Sequence, residues 1–422
     1  MRLWSKGQAW GVHAPVMGRL TRVPVDPGTQ RSDWIAYGTA ADLAIFEADW
    51  QGYAGMLCTD AVEVGPQSSL PAIYAPPHLD YLRPGDVVQL QPSGVVQVLY
   101  RGASEHNTIL ATERCNSFCL MCSQPPKPDD DSYRAGEILR LLELVDPATR
   151  ALGLSGGEPT VLGDAFLEIV AEAERRLPHT ALHVLTNGRR FNDRVFAERL
   201  GAIRHHDLVL GIPLYSDVDW RHDYIVQAAG AYDETMAGLY NLARADVRIE
   251  VRVVLHQQTI ERLPRLAEFI ARNLPFVEHV ALMGLEMFGF TPRNLNVLWV
   301  DPVDYAPQLE AATRRLALAG MNVSIYNHQL CTIPRTLWPF AVKSISDWKN
   351  VYLDQCSECG VREFCGGFFQ SATKRHSVHI RPLPPLSDDA ARYLREFWGM
   401  EQAEASWANP VHPATVDGRE GG

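Results

Sequence analysis

Seven cysteines carry most of the chemistry legible in this sequence, and they fall into two groups. Cys115, Cys119 and Cys122 stand in the spacing C-x3-C-x2-C within TERCNSFCLMCSQPP, just after a short β-branched run. Thiolates are soft ligands, and three of them can hold three irons of a [4Fe-4S] cluster. The fourth iron then has no protein ligand and is open to a small molecule. A structural zinc site wants four closed ligands, usually as C-x2-C pairs, so a set of three favours a reactive iron–sulfur site. Cys331, Cys356, Cys359 and Cys365 form the second group, spaced C-x24-C-x2-C-x5-C. Four thiolates can close a [4Fe-4S] cluster completely, and they also suit structural zinc. The remaining cysteine, Cys58, stands alone and reads as a small buried apolar residue. Cysteines grouped as metal ligands, rather than scattered as disulfide partners, suit a reducing cytoplasm.

The elements that must position these residues follow from pattern. With 422 residues, 46% hydrophobic and 21% charged, the chain has the composition of an ordinary globular protein with room for one large domain and one or two small ones. A net charge of −11 without any dense Lys/Arg run argues against a nucleic-acid groove. No apolar run reaches membrane-spanning length, and the N-terminus lacks a signal-peptide core. Residues 1–106 alternate short apolar runs with Gly and Pro, which predicts a small β-rich domain with a hairpin at Val87–Leu90 and Val95–Tyr100. Such a domain serves either to cap the catalytic unit or to dock a peptide by adding a strand to an exposed edge.

From Thr108 the pattern changes to alternating strands and amphipathic helices. Strands are expected at Thr108–Thr112, Ala151–Ser155, Leu182–Thr186, Leu208–Pro213, Arg248–His256 and His279–Met283. Between them, Asp164 is expected to cap a helix with Phe166, Ile169, Val170, Ala173 and Leu177 on one face. Asp233 is expected to cap a second helix bearing Met236, Leu239, Tyr240 and Ala243, and a third groups Leu263, Leu266, Ala267 and Ile270. Six β/α repeats predict an α/β fold: a partial, open (β/α)6 TIM-like barrel with helices outside and its site at the C-terminal strand ends. The three-cysteine loop follows the first strand, and SGGEP (Ser155 to Pro159) follows the second. Peptide N–H groups at Gly156 and Gly157 allow close approach of a ligand, and Glu158 can accept from an ammonium group.

The cysteine loop with SGGEP one β/α unit later resembles the radical S-adenosylmethionine (SAM) enzymes over roughly Thr108 to Cys365, and TERCNSFCLMCSQPP resembles the maturases of His-Xaa-Ser peptide systems. The resemblance implies that Cys115, Cys119 and Cys122 hold a [4Fe-4S] cluster whose open iron binds SAM. It implies that Gly156, Gly157 and Glu158 meet the SAM amino group, with Thr186 and Asn187 of LTNGR on the ribose side and Ser216 and Arg252 near the ribose or carboxylate. Gly284 and Gly289 are expected near the adenine, and His222 and Asp223 are either substrate-facing or, more in keeping with their loop, simply satisfied locally. One departure from the family pattern is Met121, where an aromatic residue usually precedes the third cysteine. CSECGVREFC, with Cys331, resembles the accessory-cluster extensions of such maturases and implies one auxiliary [4Fe-4S] cluster over residues 321–385, after a barrel spanning 107–320. A Pro-, Ala- and Glu-rich tail follows at 386–422, tethered by Trp398 and Trp407. The implied substrate is a precursor peptide with His-Xaa-Ser repeats; the implied partners are a second radical SAM protein and an electron donor such as flavodoxin or ferredoxin. Two rival readings are a small-molecule radical SAM enzyme with one auxiliary cluster and a non-catalytic metal-binding module.

Overall fold

The computed structural model describes residues 3–26, 28–46, 50–61, 70–343 and 350–397. Trp398 and Trp407 lie outside the described residues.

Residues up to Tyr100 build one eight-stranded mixed sheet in the order Trp4–Lys6, Val95–Tyr100, Val87–Leu90, Val16–Thr21, Trp34–Gly38, Gly55–Cys58, Ala72–Tyr74, Gln8–Trp10. The expected hairpin is present at both predicted ranges, antiparallel and closed by the turn at Pro92–Gly94. Alternation sends Leu20, Ile35, Tyr37, Leu57 and Ile73 to one face, and Ala36, Met56, Cys58 and Ala72 to the other. Cys58 is buried there, and burial pushes its thiol pKa up. Both edges of this sheet are strands of only three residues, Trp4–Lys6 and Gln8–Trp10. The sheet seats on the helix Arg134–Leu144: Arg19 Nε donates to the Leu144 carbonyl (2.7 Å), Gln89 Nε2 to Glu137 (2.7 Å) and Arg140 to Asp33 (2.5 Å).

The second sheet is parallel throughout and open, in the order Asn107–Leu110, Ala151–Ser155, Ala181–Leu185, Leu208–Pro213, Arg248–Leu255, His279–Gly284, Asn322–Tyr326, Ala341–Val342. The six expected strands are all present. Two more, Asn322–Tyr326 and Ala341–Val342, extend the sheet past residue 320, so the barrel runs into the range 321–385 expected as a separate cluster unit. Outward-facing Leu182, Val184, Ile249, Val251, Val253, Val280, Leu282, Val323 and Ile325 join one core with the covering helices. The helix Leu263–Asn273 buries the four residues expected of it, each Leu or Ile contributing about 1.5–3 kcal/mol. The alternate strand positions are polar: His183, Glu250, Arg252, His279, Ser324 and Tyr326 face the barrel interior, where Glu250 bonds Arg252 and His279.

Two capping expectations need correction. The helix Asp164–Arg176 starts on Gly163, with Asp164 already inside its first turn and making no capping hydrogen bond. Likewise Ala231–Arg244 starts at left-handed Gly230, three residues before Asp233. In both, a glycine turn sets the start, and the acid favours the positive helix end without capping it. The second helix also turns Thr235, Leu239 and Leu242 inward and leaves Tyr240 exposed, so its buried face is rotated from the expected one.

Candidate metal and cofactor site

The loop carrying Cys115, Cys119 and Cys122 leaves the first barrel strand and is pinned from four directions. At its root, Asp131 accepts from the Thr112 hydroxyl (2.6 Å), the Glu113 N–H (2.6 Å) and Arg114 Nε (3.1 Å). From the second strand end, Gly157 N–H donates to the Thr112 carbonyl (2.7 Å) and Glu158 N–H to that of Arg114 (2.8 Å). A Cβ on Gly157 would collide with the Arg114 carbonyl oxygen, and one on Gly156 with that of Thr112. These glycines therefore bring two chain segments together, and the Gly157 N–H is already engaged by the loop rather than bare for a ligand. From the third strand end, Arg189 Nη1 donates to the Asn116 carbonyl (2.5 Å) and to Ser117 Oγ (3.0 Å), while Asn187 Nδ2 donates to Asn116 Oδ1 (2.6 Å). Further round, Phe118 N–H and Leu120 N–H donate to Val226 and Ile225 (3.0 and 2.9 Å), Phe290 N–H to the Cys122 carbonyl (2.8 Å) and Asn294 Nδ2 to that of Leu120 (2.7 Å).

The three thiols are close enough to perturb one another. Burial, and next the negative charge of Glu158, push Cys115 up to about 11; Cys119 is raised by burial and by Cys122 and Cys115, with Arg189 opposing; burial raises Cys122. Protons held this firmly by crowding leave when a metal cation supplies the charge the site lacks. The donor set thus fits an iron cluster.

Glu158 is 1% exposed. Its Oε1 accepts from Thr160 N–H (3.0 Å), Thr160 Oγ1 (2.6 Å) and Thr186 Oγ1 (2.6 Å), and its Oε2 from Asn187 N–H (2.5 Å). Burial nonetheless holds its carboxyl above the ordinary range, against these bonds. The structure thus brings Gly156, Gly157, Glu158, Thr186 and Asn187 to the cysteine loop, and shows Thr186 acting on Glu158.

Ser216 and Arg252 come from the turn after the fourth strand and from the fifth strand. Ser216 is buried and its hydroxyl accepts from Val218 N–H (3.1 Å) within the turn after the fourth strand. Arg252 lies in the barrel interior, donating to Glu250 (2.5 Å) and to Met283 Sδ (3.0 Å). His222 and Asp223 are locally satisfied: His222 Nδ1 accepts from Tyr215 N–H (3.2 Å), and Asp223 accepts from Gly230 and Tyr232 N–H (2.6 and 2.8 Å). Burial takes His222 down to about 4. The adenine expectation for two glycines meets a different geometry. Gly289 (φ +60°) packs on the Cys122 carbonyl and Gly284 on that of Asn327, so both serve chain crossings. Met121 is buried against Tyr215, Ile225 and Leu298.

Arg189, Asp131 and Tyr215 were not singled out by sequence reasoning. Arg189 stood in LTNGR and Asp131 in an acidic run, whereas nothing in the sequence marked Tyr215, whose ring neighbours Cys119 and Cys122 and stacks on His222 (5.8 Å). In the second group, all four of Cys331, Cys356, Cys359 and Cys365 line one small cavity with Tyr352, Arg362 and Arg381. Gly367 N–H points at Cys365 Sγ and Leu383 N–H at Cys359 Sγ (both 3.4 Å). No ordinary core packing gathers four thiols around a cavity, so this donor set also fits a metal or cluster.

Residues 109–270 match the model of the Radical SAM superfamily, from the first barrel strand to the helix after the fifth. The chain carries a radical SAM domain. The cofactors of such a domain are SAM and one [4Fe-4S] cluster. A curated relative, the PqqA peptide cyclase of Granulibacter bethesdensis, is 30% identical over 212 residues, 48% of this chain and 52% of its own. The chain therefore spans about half the length of that relative. Among solved structures, SuiB of Streptococcus suis bound to S-adenosylmethionine is 15% identical, covering 56% of this chain and 52% of its own with a TM-score of 0.42. Native anSMEcpe with bound AdoMet is 14% identical, covering 70% and 96%, with a TM-score of 0.46. Beside the radical SAM domain, no helix among the described residues is long and apolar enough to cross a membrane.

Proposed function

We propose that this chain is a radical SAM maturase that oxidatively modifies a ribosomally made precursor peptide. The observation that carries the reading is the three-cysteine loop, fixed by neighbouring strand ends beside the buried Glu158. The relative named a peptide cyclase supports a peptide as substrate. When bound, the cluster supplies the electron that splits SAM into methionine and a 5′-deoxyadenosyl radical, which takes a hydrogen from substrate. In this reading Cys115, Cys119 and Cys122 are the iron ligands, with Gly156 and Gly157 seating their loop against the second strand end. Glu158 accepts from the SAM ammonium group, and Thr186 and Asn187 hold its carboxylate. Ser216 serves the ribose side. Arg252 serves the SAM carboxylate: its Nη2 rests on a thioether, a weak acceptor that a carboxylate outcompetes.

The four later cysteines, Cys331 to Cys365, hold a second [4Fe-4S] cluster, which accepts an electron from the substrate radical or helps to hold substrate. The peptide carries His-Xaa-Ser repeats, a second radical SAM protein works beside this one, and a flavodoxin or ferredoxin supplies electrons. The test is anaerobic reconstitution with iron, sulfide, SAM and dithionite, then incubation with candidate His-Xaa-Ser peptides and mass spectrometry. Loss of two hydrogens from the peptide is the expected result. Absence of 5′-deoxyadenosine from iron-loaded enzyme overturns the activity, and turnover of a small molecule with every peptide untouched overturns the substrate class.

A further inference from the structure

Away from both cysteine groups, the helix Asp164–Arg176 ends beside the turn that leads into the strand Leu208–Pro213. Glu174, in the helix's last turn, directs Oε2 at two imidazoles, with His205 Nδ1 at 3.8 Å and His206 Nδ1 at 3.9 Å. Hydrogen bonds to a carboxylate run at about 2.7–3.2 Å, so neither contact is one. One ligand atom from each of the three side chains lies within 4.8 Å of the others. Ligand atoms on a tetrahedral zinc-type ion, with bonds of about 2.0–2.1 Å, stand about 3.3–3.4 Å apart. Each imidazole therefore needs to approach Glu174 by roughly half an ångström and the two imidazoles each other by at most about 1.5 Å, a movement for which the exposed His206 ring has room.

The remaining bonds prepare this donor set. Asp207 N–H donates to His205 Nδ1 (3.2 Å), which puts the ring proton on Nε2; an ion at Nδ1 takes over that lone pair and displaces the bond. The His205 side chain is 1% exposed. His206 N–H donates to Glu174 Oε2 (3.2 Å) and aims the carboxylate at the imidazoles. Among the described residues Glu174 has no Lys or Arg ion pair, whereas its neighbours Arg175 and Arg176 are taken by Glu172 and Glu143. The His205 and His206 rings stack at 5.2 Å, and the His179 ring meets His206 at 6.5 Å, so a third imidazole borders the patch.

We propose that Glu174, His205 and His206 bind one divalent transition-metal ion, with water completing its shell. Two imidazoles and one carboxylate select zinc, cobalt or nickel over magnesium and calcium, which prefer all-oxygen sites. The ion would tie the end of one barrel helix to the entry of the strand two units on, remote from the radical chemistry.

The test uses the full chain with both cysteine groups already loaded with iron, titrated anaerobically with zinc chloride in a calorimeter. One zinc per chain is expected, with an anomalous-scattering peak at the zinc edge between the three side chains in a soaked crystal. His206→Ala and Glu174→Gln each should weaken zinc binding tenfold or more, with iron content and the zinc-free melting midpoint unchanged. Equal zinc affinity in wild type and both variants overturns the proposal, as does a zinc peak elsewhere. Magnesium binding as strong as zinc overturns it too, because that would be the behaviour of a merely acidic surface.

Discussion

Glu158→Gln is the most informative single change at the SAM site. Glutamine keeps the size of the side chain, so no cavity opens, and its carbonyl oxygen can occupy the Oε1 position, where three donors converge: Thr160 N–H, Thr160 Oγ1 and Thr186 Oγ1. Its NH2 then stands where Oε2 accepts from Asn187 N–H at 2.5 Å. Two donors face each other in a buried place, which costs about 1–3 kcal/mol. The flipped amide keeps the Asn187 bond but sets its NH2 against Thr160 N–H, since only the two threonine hydroxyls can turn to accept. For the SAM ammonium group, the change removes a charge-assisted bond, a loss of roughly 1.5–3 kcal/mol or about ten- to a hundredfold in affinity. The sign of the pH dependence follows from the raised carboxyl. A folded-state value above the ordinary 4.5 contributes stability that is fully present below 4.5 and lost as pH rises through the raised value. At neutral pH the charge is thus held at a cost, which an arriving ammonium group offsets. SAM binding to iron-loaded wild type should therefore weaken, and be accompanied by growing proton release, as pH falls toward the carboxyl range, and Gln at 158 should flatten both effects. Calorimetry in buffers of different ionisation enthalpy reads affinity and proton release together. Unchanged affinity and unchanged proton release in a folded, iron-loaded Glu158→Gln variant would refute the ammonium contact.

Further changes probe the frame around it. Cys119→Ala should remove the open-iron cluster and abolish reductive SAM cleavage; full 5′-deoxyadenosine production would sink the ligand assignment. Gly157→Ala drives a methyl into the Arg114 carbonyl, an overpacking that costs about 1–3 kcal/mol or more; iron loading at the first cysteine group should fall with it, and a variant with wild-type melting and iron content would contradict the seating role. Arg189→Met loses both bonds to the loop at Asn116 and Ser117, so hydrogen exchange of residues 116–120 should quicken; unchanged protection would show that the other anchors suffice. Cys359→Ala should spare uncoupled SAM cleavage, stop product formation and remove only a SAM-insensitive electron-paramagnetic-resonance signal. Full product from that variant would end the electron-exit role, and zinc in the anaerobically purified site would end the cluster.

The sequence by itself determined the cysteine sets and the β/α order, because ligand spacing is local and a parallel strand covered by helices reads as an apolar run wherever it lies. It placed Ala151–Ser155 and Leu208–Pro213 to the residue. It likewise put Glu158 one β/α unit after the cysteine loop, since chain order around a parallel sheet fixes which strand ends are neighbours. Only the tertiary structure decided what each group touches. Arg252 sits two residues from Glu250 and, by strand alternation, shares its face, so the ion pair inside the barrel takes Nη1 and leaves Nη2 on the Met283 thioether. The glycines of SGGEP looked like donors for a ligand and turned out to seat backbone on backbone, a contact that depends on where Thr112 and Arg114 come to lie. Arg189 gained its hold on the cysteine loop, and Tyr215 its place beside Cys119, across about 70 and 100 residues of chain respectively. No window of the sequence spans such distances, and it is loop closure over the finished sheet that brings them together.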